Sequence, residues 1–565
     1  MKGSELFLKT ISKLGIKNGF GIVGGEAQAI QFDEAKDIHF YLTRHEFAAG
    51  IMADVYSRIT DQPQMCYSTF GPGLTNLSTG VFSAIQDRSP VLAVSAQIHT
   101  KEVRFNQTHQ CIDNVSFMKT ITKYSTQIEN VHDIPSIVKH ALEIAVNGIP
   151  GPVYISFPYN YMEEQIDDEL ANKLLLELMT IQKIDAPEPN HKELDRVIER
   201  INNAKHPIII AGNQVIRDKC SAKLLNFIEK TNIPILSTLA SKGVISEDHP
   251  LFITPCNKYI DQIYRDDLIK HIFSSCDLIL LLGYDFGEDL KPTLWNNKIQ
   301  NIVLNSFYED MGQVFKPDML CLGSLAKILD YFIEADIDPK LVPKNIKKVR
   351  SIFSERKADH NNGSTTDISS IIKSIRNSIG KDGILCSDIG LHKQYAGLLS
   401  KAYLPNTFLC SNVCGTFGFG LPAALAVKLA KPEARVSVIC GDGGCHSTSH
   451  DIETAIRYNL PIVIVILNDN AFGLIKYYQL IERDDIFSDS VEFGKVDFVK
   501  LAEANGMQGI LLNDISMLKK TMDTAFETEK SLLIEIPVKY KYDLTTIEAK
   551  EKIEDTMIEL CGKEA

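Results

Sequence analysis

Two short motifs, each at the end of an apolar run, restrict what this chain can fold into. Val436-Ser437-Val438-Ile439-Cys440 runs into Gly441-Asp442-Gly443, and Ile462-Val463-Ile464-Val465-Ile466-Leu467 runs into Asn468-Asp469-Asn470, with 24 residues between the two motifs. Such runs read as strands of a parallel sheet buried on both faces. Parallel neighbours need a crossover, and Asp451-Ile452-Glu453-Thr454-Ala455-Ile456 reads as its helix. One strand–helix–strand unit then brings both motifs to the carboxyl edge of a sheet, where open α/β sheets bind ligands. Two carboxylates there suit a hard cation that keeps phosphate ligands, such as Mg²⁺. The glycines let main-chain N–H groups approach a diphosphate closely. A simple dinucleotide fingerprint is excluded, because Gly441-Asp442-Gly443-Gly444-Cys445-His446 lacks the third glycine of G-x-G-x-x-G.

At 565 residues the chain is too long for one core. Its pattern predicts an α/β protein of three doubly wound parallel-sheet domains. The first, 1–180, has strand-like Phe20–Val23, Met65–Ser68, Pro90–Val94 and Pro152–Ile155. A polar linker follows, stiffest at Ala186-Pro187-Glu188-Pro189-Asn190. The second, 191–345, has Pro207–Gly212, Pro234–Leu236 and Leu278–Gly283. The third, 367–545, carries the opening motifs and resembles the first in scale. Residues 546–565 form a charged, helix-favouring tail.

The net charge of −13 argues against a nucleic-acid or anionic-membrane partner. An anionic cofactor must then be held by local dipoles and a cation. The 12 cysteines contain no C-x-x-C pair, so a zinc site or disulfide framework is not expected. No signal-like start and no apolar run of about 18 residues is present, which predicts a cytoplasmic protein.

The GDG…ND pair, the three-block layout and several N-terminal motifs resemble the thiamine-diphosphate enzymes of the acetohydroxyacid synthase and decarboxylase superfamily. The resemblance covers nearly the whole chain. It implies a pyrimidine-binding first domain, a central domain and a diphosphate-binding third domain. Glu46, in Arg44-His45-Glu46, matches the catalytic glutamate that hydrogen-bonds the cofactor's pyrimidine ring. Phe70-Gly71-Pro72-Gly73-Leu74-Thr75-Asn76 resembles the loop beside the cofactor, so Gly71, Pro72, Gly73 and Asn76 are cofactor-binding candidates. Gln110, in Thr108-His109-Gln110-Cys111, aligns with a glutamine that reaches the active site, and His109 is a candidate proton carrier. In the third domain Gly390 and His392 fall in a diphosphate loop, and Gly415 and Phe417 in a loop that wedges an apolar side chain between the cofactor's rings. Gly441, Asp442, Gly443 and Gly444 complete that set. The implied metal ligands are Asp442, Asp469 and the backbone carbonyl of Ala471.

Three strings point within the superfamily to N2-(2-carboxyethyl)arginine synthase: Thr108–Asp113, Gly283–Pro292, and Gly441–Glu453 with its His446-Ser447. That likeness implies glyceraldehyde 3-phosphate and arginine as substrates. Tyr284, Asp285, Asp289 and Lys393 are then substrate candidates, the carboxylates as guanidinium partners. The alternative is a FAD-independent acetolactate synthase or 2-oxo acid decarboxylase acting on pyruvate. An alternative of another class is a non-catalytic cofactor-binding subunit. Thiamine diphosphate and Mg²⁺ are the expected cofactors. FAD is not expected, because Tyr284-Asp285 stands where flavin-binding relatives carry an arginine. The family's active site lies between chains, which implies a homodimer or homotetramer.

Overall fold

A computed structural model describes residues 1–25, 30, 32, 37–256, 272–285, 299–308, 315–341, 346, 367–482 and 489–540. The strands form three six-stranded sheets, and every strand pairing within them is parallel. The first contains β1 (Asn18–Gly21), β2 (His39–Leu42), β3 (Gln64–Ser68), β4 (Val91–Gln97), β5 (Tyr124–Gln127) and β6 (Val153–Pro158), in the order β2-β1-β3-β4-β6-β5. The second contains β7 (Pro207–Ala211), β8 (Ile235–Thr238), β9 (Phe252–Cys256), β10 (Leu278–Leu282), β11 (Gln300–Asn305) and β12 (Met319–Leu322), in the order β12-β11-β10-β7-β8-β9. The third contains β13 (Ile384–Ser387), β14 (Phe408–Cys410), β15 (Val436–Gly441), β16 (Val463–Asn468), β17 (Gln508–Leu511) and β18 (Leu532–Pro537), in the order β14-β13-β15-β16-β18-β17. The first and third sheets therefore share one permutation of strands. The second has the order of a dinucleotide-binding sheet.

The two opening runs are β15 and β16, adjacent and in register from Ser437 opposite Val463 to Gly441 opposite Leu467. The crossover between them differs from the single helix expected. It starts at Asp442 itself, as a helix over Asp442–Thr448, passes through a 3₁₀ turn at Ser449–Asp451, and continues as Ile452–Arg457. Thus no loop separates the motif from the helix that follows it.

One hydrophobic core is shared by the first and third domains. It joins Ala49, Met52, Ala53, Leu74 and Leu77 to Phe419, Leu421, Ala424 and Val438. The Glu46–Thr60 helix lies inside it, which explains its nearly continuous apolar sequence. Gly50 and Gly80 set how closely this helix meets Pro72–Gln86: a Cβ on Gly50 would stand 2.8 Å from the Gly80 Cα. Backbone cannot yield as a flexible side chain can. Gly50→Val is expected to cost about 1–3 kcal/mol by overpacking. Urea titration of the purified variant checks this.

Candidate active site

The third sheet reverses its winding between β13 and β15, and the crevice outside that point holds the site. A cavity of about 280 Å³ opens there. Gly390, His392, Gly415, Phe417, Gly441, Asp442, Gly443, Gly444, Asp469 and Ala471 all line it. The structure thus brings together around one space every third-domain residue assigned to the cofactor and metal from sequence.

The polar atoms of this cavity are short of partners. Asp442 Oδ1, Asp469 Oδ2 and His392 Nε2 are buried without a hydrogen bond among the described residues. Such atoms are costly to leave unpaired. Burial pushes the Asp442 carboxyl up to about 6. Burial, and then the neighbouring Asp442 charge, push Asp469 up to about 7. Two mutually repelling carboxyl groups, with the Ala471 residue beside them, suit a divalent cation bound through oxygen. His392 is pushed down to about 4 by burial, so its imidazole is neutral in this state. Its ring packs against Gly390 and Gly441, where a Cβ would stand 2.6 Å and 3.5 Å from His392 Cε1. A diphosphate oxygen near its Nε2 would favour the protonated form.

Phe417 is 50% exposed, so it is not a core residue. Its ring stands 6.0 Å from that of Phe472 at 83°, at the cavity wall. Asp388 fixes this loop. Its carboxylate accepts from the main-chain N–H of Ile389 (2.6 Å), Gly418 (2.8 Å) and Gly420 (3.1 Å). Burial pushes Asp388 up to about 6. Asp388 stands two residues before Gly390, in the loop assigned to the diphosphate. Its carboxylate ties that loop to the one carrying Phe417.

The first domain contributes a separate cluster. Glu46 opens its helix and is 8% exposed. Asn76 Nδ2 donates to Glu46 Oε2 at 3.1 Å. A Cβ on Gly73 would stand 3.3 Å from Glu46 Oε1, so the glycine leaves that oxygen room. Gly71 has φ +58° and faces the Gln110 carbonyl, 2.4 Å from where its Cβ would be. Glu46, Gly71, Pro72, Gly73, Asn76 and Gln110 thus form one group, with His109 exposed beside it. Among the described residues, none of the first domain lines the third-domain cavity.

Among the described residues, none of the substrate candidates lines this cavity. Tyr284 is buried in the central domain. Asp285 does meet guanidinium groups, but they are the chain's own: Arg88 Nε at 2.9 Å and Arg217 at 3.7 Å. Lys393 is buried, and its Nζ donates to the Ser411 carbonyl at 2.9 Å. Asp289 lies outside the described residues.

Against this geometry, three domain models match in order: the thiamine pyrophosphate enzyme N-terminal TPP binding domain over residues 1–117, the central domain over 194–332, and the C-terminal TPP binding domain over 388–536. The chain belongs to the thiamine pyrophosphate enzyme family. It is 30% identical over 570 residues to a probable acetolactate synthase large subunit of Methanococcus aeolicus, covering 95% of this chain and 92% of the relative. It is 27% identical over 551 residues to the acetolactate synthase of Bacillus subtilis, covering 95% and 93%. It is 26% identical over 543 residues to the acetolactate synthase isozyme 3 large subunit of Escherichia coli, covering 93% and 92%. The protein is an enzyme of this family. None of its described helices is long and apolar enough to cross a membrane.

Proposed function

We propose that the chain is a thiamine-diphosphate- and Mg²⁺-dependent acetolactate synthase, joining two molecules of pyruvate with loss of carbon dioxide. The observation that carries this is the cavity in which Asp442, Asp469 and His392 keep unpartnered buried atoms, in a chain that matches relatives of that name over 92% and 93% of their length. When bound, thiamine diphosphate supplies an acidic ring carbon that adds to a 2-oxo acid and holds the electron pair left by decarboxylation. Asp442, Asp469 and the Ala471 carbonyl would hold Mg²⁺, and His392 with the Gly441–Gly444 main chain would hold the diphosphate. Phe417 would keep the cofactor bent. Glu46, oriented by Asn76, would hold the proton at the pyrimidine nitrogen.

The reading with glyceraldehyde 3-phosphate and arginine has less behind it, because the matched relatives are named acetolactate synthases and Asp285 and Lys393 have partners within the chain. Pyruvate alone, then glyceraldehyde 3-phosphate with arginine, should be offered to the Mg²⁺- and cofactor-loaded enzyme and the products identified by mass spectrometry. Acetolactate from the first mixture supports the proposal; carboxyethylarginine from the second, with none from the first, overturns it. Flavin is not required in this reading, since Tyr284 is buried and Asp285 is paired where an arginine would meet FAD. A flavin absorbance band in the purified protein would refute that point.

Both halves of the site are needed, yet among the described residues of one chain only the third domain lines the cavity. Around it Phe417, Phe472 and Ile475 are 50%, 38% and 46% exposed, an apolar rim suited to the first domain of a second copy. A homodimer, or a homotetramer built from it, would complete the site. Specific activity is expected to fall in proportion to dimer on dilution. Parallel sedimentation measurements check this, and full activity from monomer would rule it out.

A further inference from the structure

A buried ionic cluster crosses the junction of the first and third domains. Arg58, on the helix that starts at Glu46, meets Asp54 through Nε at 2.7 Å and Asp87 through its second terminal nitrogen at 2.7 Å. Ser89 Oγ also bonds Asp54. Asp87 has its other oxygen on the third domain, where Asn412 Nδ2 approaches at 3.2 Å and Asn412 N at 3.4 Å. Asp54, Asp87 and Asn412 are all buried. Asn412 begins the segment that leads to Phe417. The next residue back, Ser411, accepts from Thr416 N at 3.2 Å through its hydroxyl and from Lys393 Nζ at 2.9 Å through its carbonyl. Lys393 adjoins His392 of the cavity wall. The far end of the same segment is held by Asp388.

Buried charge of this kind is weak evidence for stability, since well-packed apolar groups of similar volume often serve as well or better. What it does provide is direction. The bonds among Arg58, Asp54, Ser89 and Asp87 hold the Asp87 carboxylate in place within the first domain, and its contacts with Asn412 carry that placement across to the third.

We propose that Asp87 is a positioning residue of the active site, holding the Phe417 loop through Asn412 and tying that loop to the Glu46 helix through Arg58. It touches neither cofactor nor substrate; it sets where Phe417 stands. The proposal rests on the cofactor reading given above.

Asn412→Ala is the primary test, because it leaves the Asp87–Arg58 pair intact. Its kcat with pyruvate is expected to fall by roughly 10- to 100-fold, the scale on which small misplacements near the chemistry act. The pyruvate KM should stay within about threefold, as for an interaction that matters mainly in the transition state. The near-ultraviolet circular dichroism of the bound cofactor should change as well. Asp87→Ala should lose at least as much, since it also removes the bond from the Asn412 main chain, and the double variant should be no worse than Asp87→Ala alone, because both act at one contact. An unchanged kcat in Asn412→Ala, or losses that multiply in the double variant, would overturn the proposal. If Asp87→Ala does not fold, Asn412→Ala alone decides. Wild-type protein that fails to bind thiamine diphosphate with Mg²⁺ by calorimetry would instead sink the cofactor reading.

Discussion

Glu46→Gln is expected to lower kcat by roughly 10²- to 10⁴-fold, the range for removing a group that transfers a proton. Cofactor affinity should change little by comparison, because Glu46 lies outside the cavity that holds the anchoring residues. Glutamine keeps the length and one oxygen of the side chain. The hydrogen bond from Asn76 Nδ2 can therefore persist, while the proton-holding carboxylate is lost. Two measurements separate chemistry from binding: steady-state turnover of pyruvate, and exchange of the cofactor's acidic ring proton followed by nuclear magnetic resonance. Both should slow together. Turnover near the wild-type rate would remove Glu46 from the mechanism. Asn76→Ala should act in the same direction but less, by about fivefold for a hydrogen bond worth about 1 kcal/mol.

The parts of this molecule that could be read in the sequence are those with strong local signatures. The runs at Val436–Cys440 and Ile462–Leu467 are buried on both faces, and continuous apolar character announces that. Edge strands carry no such signal. His39–Leu42, Tyr124–Gln127 and Gln508–Leu511 are all at sheet edges and only partly buried, and none stood out from its composition. The residues around the cavity were legible because glycine and aspartate at strand ends have few uses. The partners of Asp285 and Lys393 were not legible for the opposite reason: a lone charge looks the same whether it faces a substrate or another group of the chain. Arg88 is 197 residues from Asp285, and no local pattern links them. The Arg58–Asp87–Asn412 bridge escaped notice likewise, its last two members standing 325 positions apart. One trace of it was visible: Asp54 and Arg58 stand four apart in a mostly apolar helix.

Asp442→Ala should abolish Mg²⁺-dependent binding of thiamine diphosphate and, at the same time, make the empty protein more stable near pH 8. The first effect follows from removing a ligand. Even groups that merely orient ligands cost roughly 10- to 100-fold in metal affinity when changed, so a loss beyond about 10²-fold is expected here. The second follows from the raised carboxyl groups. Asp442 at about 6 and Asp469 at about 7 both lie above the ordinary carboxylate range, chiefly through burial. A raised acid contributes its stabilisation in full below the unfolded-state value and loses it as pH climbs through the folded value. The empty enzyme is therefore expected to lose stability between about pH 4 and 8 as the two groups ionise against each other and against burial. Mg²⁺ must displace those same protons, so its affinity should rise through pH 6 and 7 and level off above them. Binding then stabilises the folded state by mass action. With Asp442 replaced, Asp469 loses the neighbour that repels it, so the decline of the empty protein with pH should flatten while the stabilisation by ligand disappears. Calorimetric titration of Mg²⁺ with thiamine diphosphate at pH 6 and 8, alongside melting curves with and without them, measures both halves. A variant that binds the loaded cofactor normally, or that melts lower than wild type at pH 8 without ligand, would show that Asp442 is not held in an energetically costly state for the metal.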